Sequence, residues 1–154
     1  MKKLITLCII LPIFIIALNS CGEPDERQQD GAISGEGVSI EGAWARPASE
    51  GRMSAAYFLI TNFEDEDDRL IGVRSDVARM VEIHESYEGE NDMMGMREVP
   101  VVELPANETV RFEQGGLHIM LIQATRRLAD GDTFELTLEF ENSDEQTIEV
   151  PVRN

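Results

Sequence analysis

Cysteine is almost missing from this 154-residue chain: Cys8 and Cys21 are the two, and both lie in the first 21 positions. Lysine stops even earlier, at Lys2 and Lys3. There is one long apolar run, Leu4 to Leu18, broken by Pro12. It is shorter than the about 20 apolar residues that a membrane-crossing helix needs. Beyond that run no stretch holds a sustained 3.6-residue periodicity, so a helical bundle is excluded. Acids outnumber bases 30 to 13, giving a net charge of −17. Nucleic acid and anionic membrane surfaces are poor partners for such a chain, whereas a cation or a basic protein suits it.

What is present at the N-terminus explains several of these shortages. A basic start, a short apolar stretch and small residues after it read as an export signal. Leu18-Asn19-Ser20-Cys21 resembles a bacterial lipobox, in which the cysteine is lipidated and becomes the first mature residue. On this reading residues 1–20 are a lipoprotein signal peptide and Cys21 carries the lipid. Cys8 leaves with the signal, so the folded part keeps no thiol. That excludes thiol catalysis, cysteine-based zinc sites and a blue-copper centre, which requires a thiolate beside its histidines. Cleavage leaves 154 − 20 = 134 residues, with 11 arginines against 30 acids, 11 − 30 = −19. Acids are spread along the whole chain, which fits adaptation to a salty environment or simple solubility. Residues 21–37 are polar, acidic and glycine-containing, and read as a flexible tether. Residues 38–154 form one domain of ordinary size.

The punctuation of that domain is that of an all-β protein. Short alternating stretches are expected at Val38–Ala45, Ala55–Asn62, Leu70–Val73, Arg79–Ser86, Met96–Val102, Thr109–Glu113, Leu117–Gln123, Thr133–Glu141 and Gln146–Val152. Asp130-Gly131-Asp132 and Asn142-Ser143-Asp144 supply turns. Eight or nine short strands at this spacing predict a β-sandwich or barrel. One helical turn is expected around Asp76–Met80, and Trp44 is expected in the core.

The chain has two histidines, and each has methionine near it. His118-Ile119-Met120 lies on a predicted strand, where residues two apart share a face. His118 and Met120 therefore project together, about 6.5 Å apart along the strand. Upstream, His84 is followed by Met93, Met94 and Met96. Methionine usually fills gaps in cores, but these three lie in a stretch containing glycine and asparagine. Val81 and Ile83 are expected on one face of their strand, with Glu82 and His84 on the other. The expectation is that His84 ends a strand, Met96 begins the next, and a neighbouring strand carries His118 and Met120. Thioether sulfur is a soft ligand, and a mixed His/Met set favours Cu(I). The competing reading makes His118 an incidental polar residue and Met120 part of a second apolar surface.

These residues carry a resemblance to the PCu(A)C family of periplasmic copper chaperones. That family spaces its ligands as His, ten residues, Met, twenty-one residues, His-x-Met. Here twenty-one residues separate Met96 from His118, and eleven separate His84 from Met96. The extra residue leaves open whether Met93 or Met94 replaces or joins Met96. Glu41-Gly42-Ala43-Trp44-Ala45-Arg46-Pro47, Ala55-Ala56-Tyr57-Phe58 with Asn62, and Gly115 to Leu121 resemble further family segments. The resemblance covers about Ile40 to Val152. It implies a cupredoxin-like β-sandwich that binds Cu(I) through His84, Met96, His118 and Met120 and is not an enzyme. It also implies delivery of copper to the Cu(A) centre in subunit II of cytochrome c oxidase, alongside Sco-type thiol proteins. The lipid implies an extracytoplasmic, membrane-anchored location, on the periplasmic side or the cell surface. A copper buffer or resistance protein shares the same site. A metal-free lipoprotein interaction module is the alternative from another class.

Other motifs weigh less. Glu64 to Asp68 lacks the spaced acids and central glycine of a calcium loop and reads as a solvated turn. Arg126-Arg127 reads likewise as a solvated turn. Ser86 lies near His84 but has no nucleophile motif around it.

Overall fold

The computed structural model describes residues 35–89 and 93–154. The signal peptide at 1–20, the lipidation site Cys21 and the tether up to residue 34 lie outside the described residues.

Among the described residues there are ten strands and no helix. In chain order they are β1 (Val38–Ala45), β2 (Ser54–Asn62), β3 (Asp68–Arg74), β4 (Ala78–Glu88), β5 (Met94–Glu98), β6 (Val102–Leu104), β7 (Thr109–Phe112), β8 (Leu117–Ala124), β9 (Thr133–Phe140) and β10 (Gln146–Pro151). Six of them form one sheet in the order β1-β2-β7-β8-β4-β5, and four form a second in the order β10-β9-β3-β6. The architecture is a cupredoxin-like sandwich. The single stretch expected at Met96–Val102 is divided between β5 and β6, which belong to different sheets. Pro100 lies between them, and proline has no N–H to continue a ladder. The helical turn expected around Asp76–Met80 does not form. A turn occupies 76–77, and Ala78 already opens β4, paired with Ala124 of β8.

Period-two alternation builds the core. In β9, Phe134, Leu136, Leu138 and Phe140 are buried, while Thr133 and Glu135 are exposed. They meet Ala56, Phe58, Ile60, Ile83, Phe112, Ile119 and Leu121 from the larger sheet in one cluster. Phe58 and Phe112 stack with centroids 4.6 Å apart. Burying each such side chain contributes about 1.5–3 kcal/mol. With the odd-numbered residues of β8 turned inward, His118 and Met120 are left on the opposite face of the six-stranded sheet.

One edge of the sandwich depends on two buried polar residues. Asn62, 1% exposed, donates to the carbonyls of Glu66 and Leu104, both at 2.9 Å, and accepts from the Glu64 N–H at 3.0 Å. Asp68 accepts from the backbone N–H groups of Arg69 (2.7 Å), Asn142 (2.9 Å) and Ser143 (3.0 Å). Burial pushes its carboxyl upward, but the Ser143 side chain and those three N–H groups outweigh it, and the net shift is below the usual aspartate value. A carboxylate lowered in the fold stabilises the protein above its unfolded pKa of about 3.9, and that contribution disappears as pH falls through the lower, folded value. Asp68→Asn is therefore expected to lower stability at neutral pH by about 1.5–3 kcal/mol. The gap to wild type should shrink in urea titrations carried from neutral pH to below about 4. A gap that stays constant with pH would show that the charge is not its source.

Candidate metal centre

The sheet register brings together residues far apart in sequence. Strands β4 and β8 run antiparallel with His84 directly opposite His118 and Glu82 opposite Met120. Strand β5 pairs with the other edge of β4, setting Met96 opposite Ser86 and Glu98 opposite His84. By strand parity His84, Ser86, Met96, His118 and Met120 share one face of three adjacent strands. Met96 and Met120 are each diagonal neighbours of His84, a separation that long side chains span. Two imidazoles and two thioethers thus converge. The histidine ring centroids are 6.1 Å apart. Two imidazoles sharing one ion at a metal–nitrogen distance of about 2 Å have centroids no more than about 6.5 Å apart. The rings already lie at a separation that one ion can bridge.

Two strand-end expectations are corrected. His84 is in the middle of β4, which continues to Glu88, and Met96 is the central residue of β5, which begins at Met94. Side chains on the opposite face tie the two strands of this longer hairpin together. Arg97 pairs with Glu85 at 2.5 Å, and its guanidinium lies 5.5 Å from the Tyr87 ring centroid. Gly95 has no side chain because Tyr87 covers it: a Cβ there would lie 2.6 Å from the ring. The loop methionines therefore fall into two groups. Met94 and Met96 share the site's face, with Met94 one row further out opposite Glu88. Met93 precedes the strand, and its carbonyl accepts the Gly89 N–H at 2.8 Å. All three are exposed, between 58% and 67%.

Met96, His118 and Met120 help line an open groove of ≈ 520 Å³, together with Met53, Ala55 and Tyr57. His118 is 5% exposed, and its Nδ1–H donates to the Gly116 carbonyl at 3.0 Å. Its Nε2 is left as the available donor atom. The His84 side chain is 16% exposed and its Nε2–H donates to the Glu82 carboxylate at 2.8 Å. Its Nδ1 is buried and has no hydrogen-bond partner among the described residues. A buried polar atom without a partner is costly, and a metal is the partner its lone pair suits. Two imidazole nitrogens and two thioether sulfurs form a soft donor set without thiolate, which fits a monovalent soft ion better than zinc or calcium.

Sequence reasoning did not single out Glu82, Tyr57 or Met53. The signal for Glu82 was available, since it shares the outward face of its strand with His84. Tyr57 is placed by pairing across strands, with its ring centroid 6.4 Å from that of His118. Trp44, expected in the core, is half-buried on this outer face and packs on Tyr57 at 4.7 Å. An irregularity in the β1–β2 register between Glu41 and Trp44, at a left-handed Gly42, accompanies this placement.

The fold is a β-sandwich that presents two imidazoles and two thioethers on one face of its larger sheet. The chain belongs to the LpqE-like family, described as "Putative lipoprotein LpqE-like", which matches residues 38–152. It is similar to protein RP573 of Rickettsia prowazekii (strain Madrid E), 32% identical over 119 residues. That match covers 72% of this chain and 64% of the Rickettsia protein, so the chain spans less than two thirds of that relative's length. Among solved structures it is similar to the copper-bound PCuAC domain from PmoF2, at 30% identity and TM-score 0.64, covering 79% of this chain and 96% of that domain. It is also similar to the Cu(I) form of DR1885 from Deinococcus radiodurans in solution, at 26% identity and TM-score 0.59, covering 82% and 85%.

Proposed function

We propose that this protein is a lipid-anchored, extracytoplasmic Cu(I) carrier that holds copper through His84, Met96, His118 and Met120. The observation that carries this reading is the convergence of two imidazoles and two thioethers on one sheet face, the rings 6.1 Å apart. Copper-bound PCuAC relatives with the same fold support it. The donor chemistry suits a carrier. Thioethers and neutral imidazoles stabilise Cu(I) and, unlike thiolates, cannot be lost to a disulfide in an oxidising compartment. An open groove beside His118 and Met120 gives an acceptor room to approach. The reading has no catalytic step: the protein binds, protects and releases an ion.

The acceptor we propose is the Cu(A) centre in subunit II of cytochrome c oxidase, with Sco-type proteins acting alongside. Copper titration of the soluble domain under reducing conditions, with X-ray absorption counting sulfur and nitrogen ligands, tests the site. A deletion strain grown with limiting copper tests the role. A carrier for the oxidase predicts lost oxidase activity. Copper sensitivity with intact oxidase would assign the protein to copper buffering instead. No bound copper would leave a metal-free interaction module.

Membership of a lipoprotein family supports anchoring through Cys21. Cys21→Ser is expected to release the protein from membranes while leaving Cu(I) affinity unchanged, because a lipid chain, not a spanning helix, supplies the attachment. Variant protein that still sediments with carbonate-washed membranes would point to an uncleaved signal anchor.

A further inference from the structure

His84 and His118 are held by different ring nitrogens. Each is fixed by a group two residues earlier in the chain: the Glu82 carboxylate for His84 and, just before β8 begins, the Gly116 carbonyl for His118. A carboxylate and a carbonyl can only accept, so the ring nitrogen facing each one carries the proton. For His118 that nitrogen is Nδ1, and Nε2 is free. For His84 it is Nε2, and the buried Nδ1 is free. We propose that Glu82 is a positioning residue that makes His84 bind copper through Nδ1, while His118 binds through Nε2.

This rests on the copper-carrier reading and specifies its coordination chemistry. Glu82 lies opposite Met120 and its side chain is 27% exposed, so it reaches the site without being buried in the core. A carboxylate is a hard ligand and a poor competitor for Cu(I). Its contribution is to fix the tautomer and orientation of the ring, as outer-shell carboxylates do for metal-bound histidines. Without it His84 could rotate and present either nitrogen. The register fixes the two backbones, and Glu82 fixes which atom of His84 faces the shared space.

Long-range ¹H–¹⁵N correlation of histidine-labelled protein tests this directly. In metal-free protein at alkaline pH, where imidazole is neutral, His84 should be the Nε2–H tautomer and His118 the Nδ1–H tautomer. On Cu(I) loading, the His84 Nδ1 and His118 Nε2 shifts should move while both protons stay. Glu82→Leu should weaken Cu(I) binding roughly 10–100-fold. Glu82→Gln, whose carbonyl still accepts, should fall between. Circular dichroism checks that both variants fold, and the wild-type spectra decide the ligating atom whatever the variants do. Loss of the His84 Nε2 proton on loading, or wild-type affinity in folded Glu82→Leu, would overturn the proposal. Wild-type protein that binds no Cu(I) overturns the carrier reading with it, whereas tight binding through both Nε2 atoms overturns this inference alone.

Discussion

His118→Ala is expected to weaken Cu(I) binding by roughly 10³-fold or more, about 4 kcal/mol, while the sandwich stays folded. Removing an outer-shell partner already costs roughly 10–100-fold in metal affinity, and a direct ligand should exceed that. His118 sits on a regular strand with its ring held at Nδ1, so it is placed before the ion arrives and little ordering is left for binding to pay. The fold should tolerate the change. The Gly116 carbonyl that His118 engages also accepts the Ser86 N–H at 3.0 Å, so truncation leaves no orphaned acceptor. The stability change should be about 1 kcal/mol, the net contribution of one hydrogen bond. Met120→Ala should produce a comparable affinity loss, since Met120 is fixed between Ala55 and Glu82 on the neighbouring strands. Competition against a Cu(I)-specific chelator measures each affinity, and thermal unfolding measures the fold. Unchanged affinity in His118→Ala would remove the site from consideration.

The methionines of the β4–β5 hairpin should behave as a partly redundant set. Met96→Ala alone is expected to cost roughly 10-fold in Cu(I) affinity, about 1.4 kcal/mol. The combined change of Met93, Met94 and Met96 to alanine should cost roughly 10³-fold. Met96 lines the groove with His118 and Met120. Met94 lies two residues away on the same face and Met93 beside it, so a neighbouring thioether can substitute at some loss of geometry. All three side chains are exposed, and surface changes of this kind shift stability by no more than about 0.5 kcal/mol. Affinity is therefore read without interference from folding. Equal losses in the single and triple variants would show that Met96 acts without a substitute.

Most of the strand pattern was legible in the sequence. Predicted segments such as Ala55–Asn62, Leu117–Gln123 and Thr133–Glu141 match β2, β8 and β9 to within one residue at each end; in β9 one face is buried and period-two alternation records it, whereas β2, buried on both faces from Ser54 to Phe58, reads as a short apolar run. The failures occur where local pattern and tertiary pairing disagree. Asp76–Met80 carries no strong alternation, and pairing with β8 makes its second half strand. Met93 to Met96 looks like a polar loop, but Arg97, Glu85 and Tyr87 lock Met94–Glu98 into β5. Trp44 alternates as if inward, yet it faces outward on Tyr57.

The sequence by itself determined an all-β stretch from Val38 onward that holds no cysteine, is strongly acidic, and offers two histidines and a methionine cluster as its soft donors. Residue types and short-range periodicity are enough for those statements, because chemistry and strand faces are local properties. Only the tertiary structure decided that His84 stands directly across from His118, that Met96 approaches from a third strand, and that Glu82 and Gly116 hold opposite nitrogens of the two rings. The first two are matters of register between separate strands, β8 with β4 and β5 with β4, and the third of side-chain placement on that framework, none of which local periodicity records. A slip of one residue would turn a whole strand's side chains to the other face, and what prevents it is the packing of Ile83, Ile119 and Leu121 into the common core.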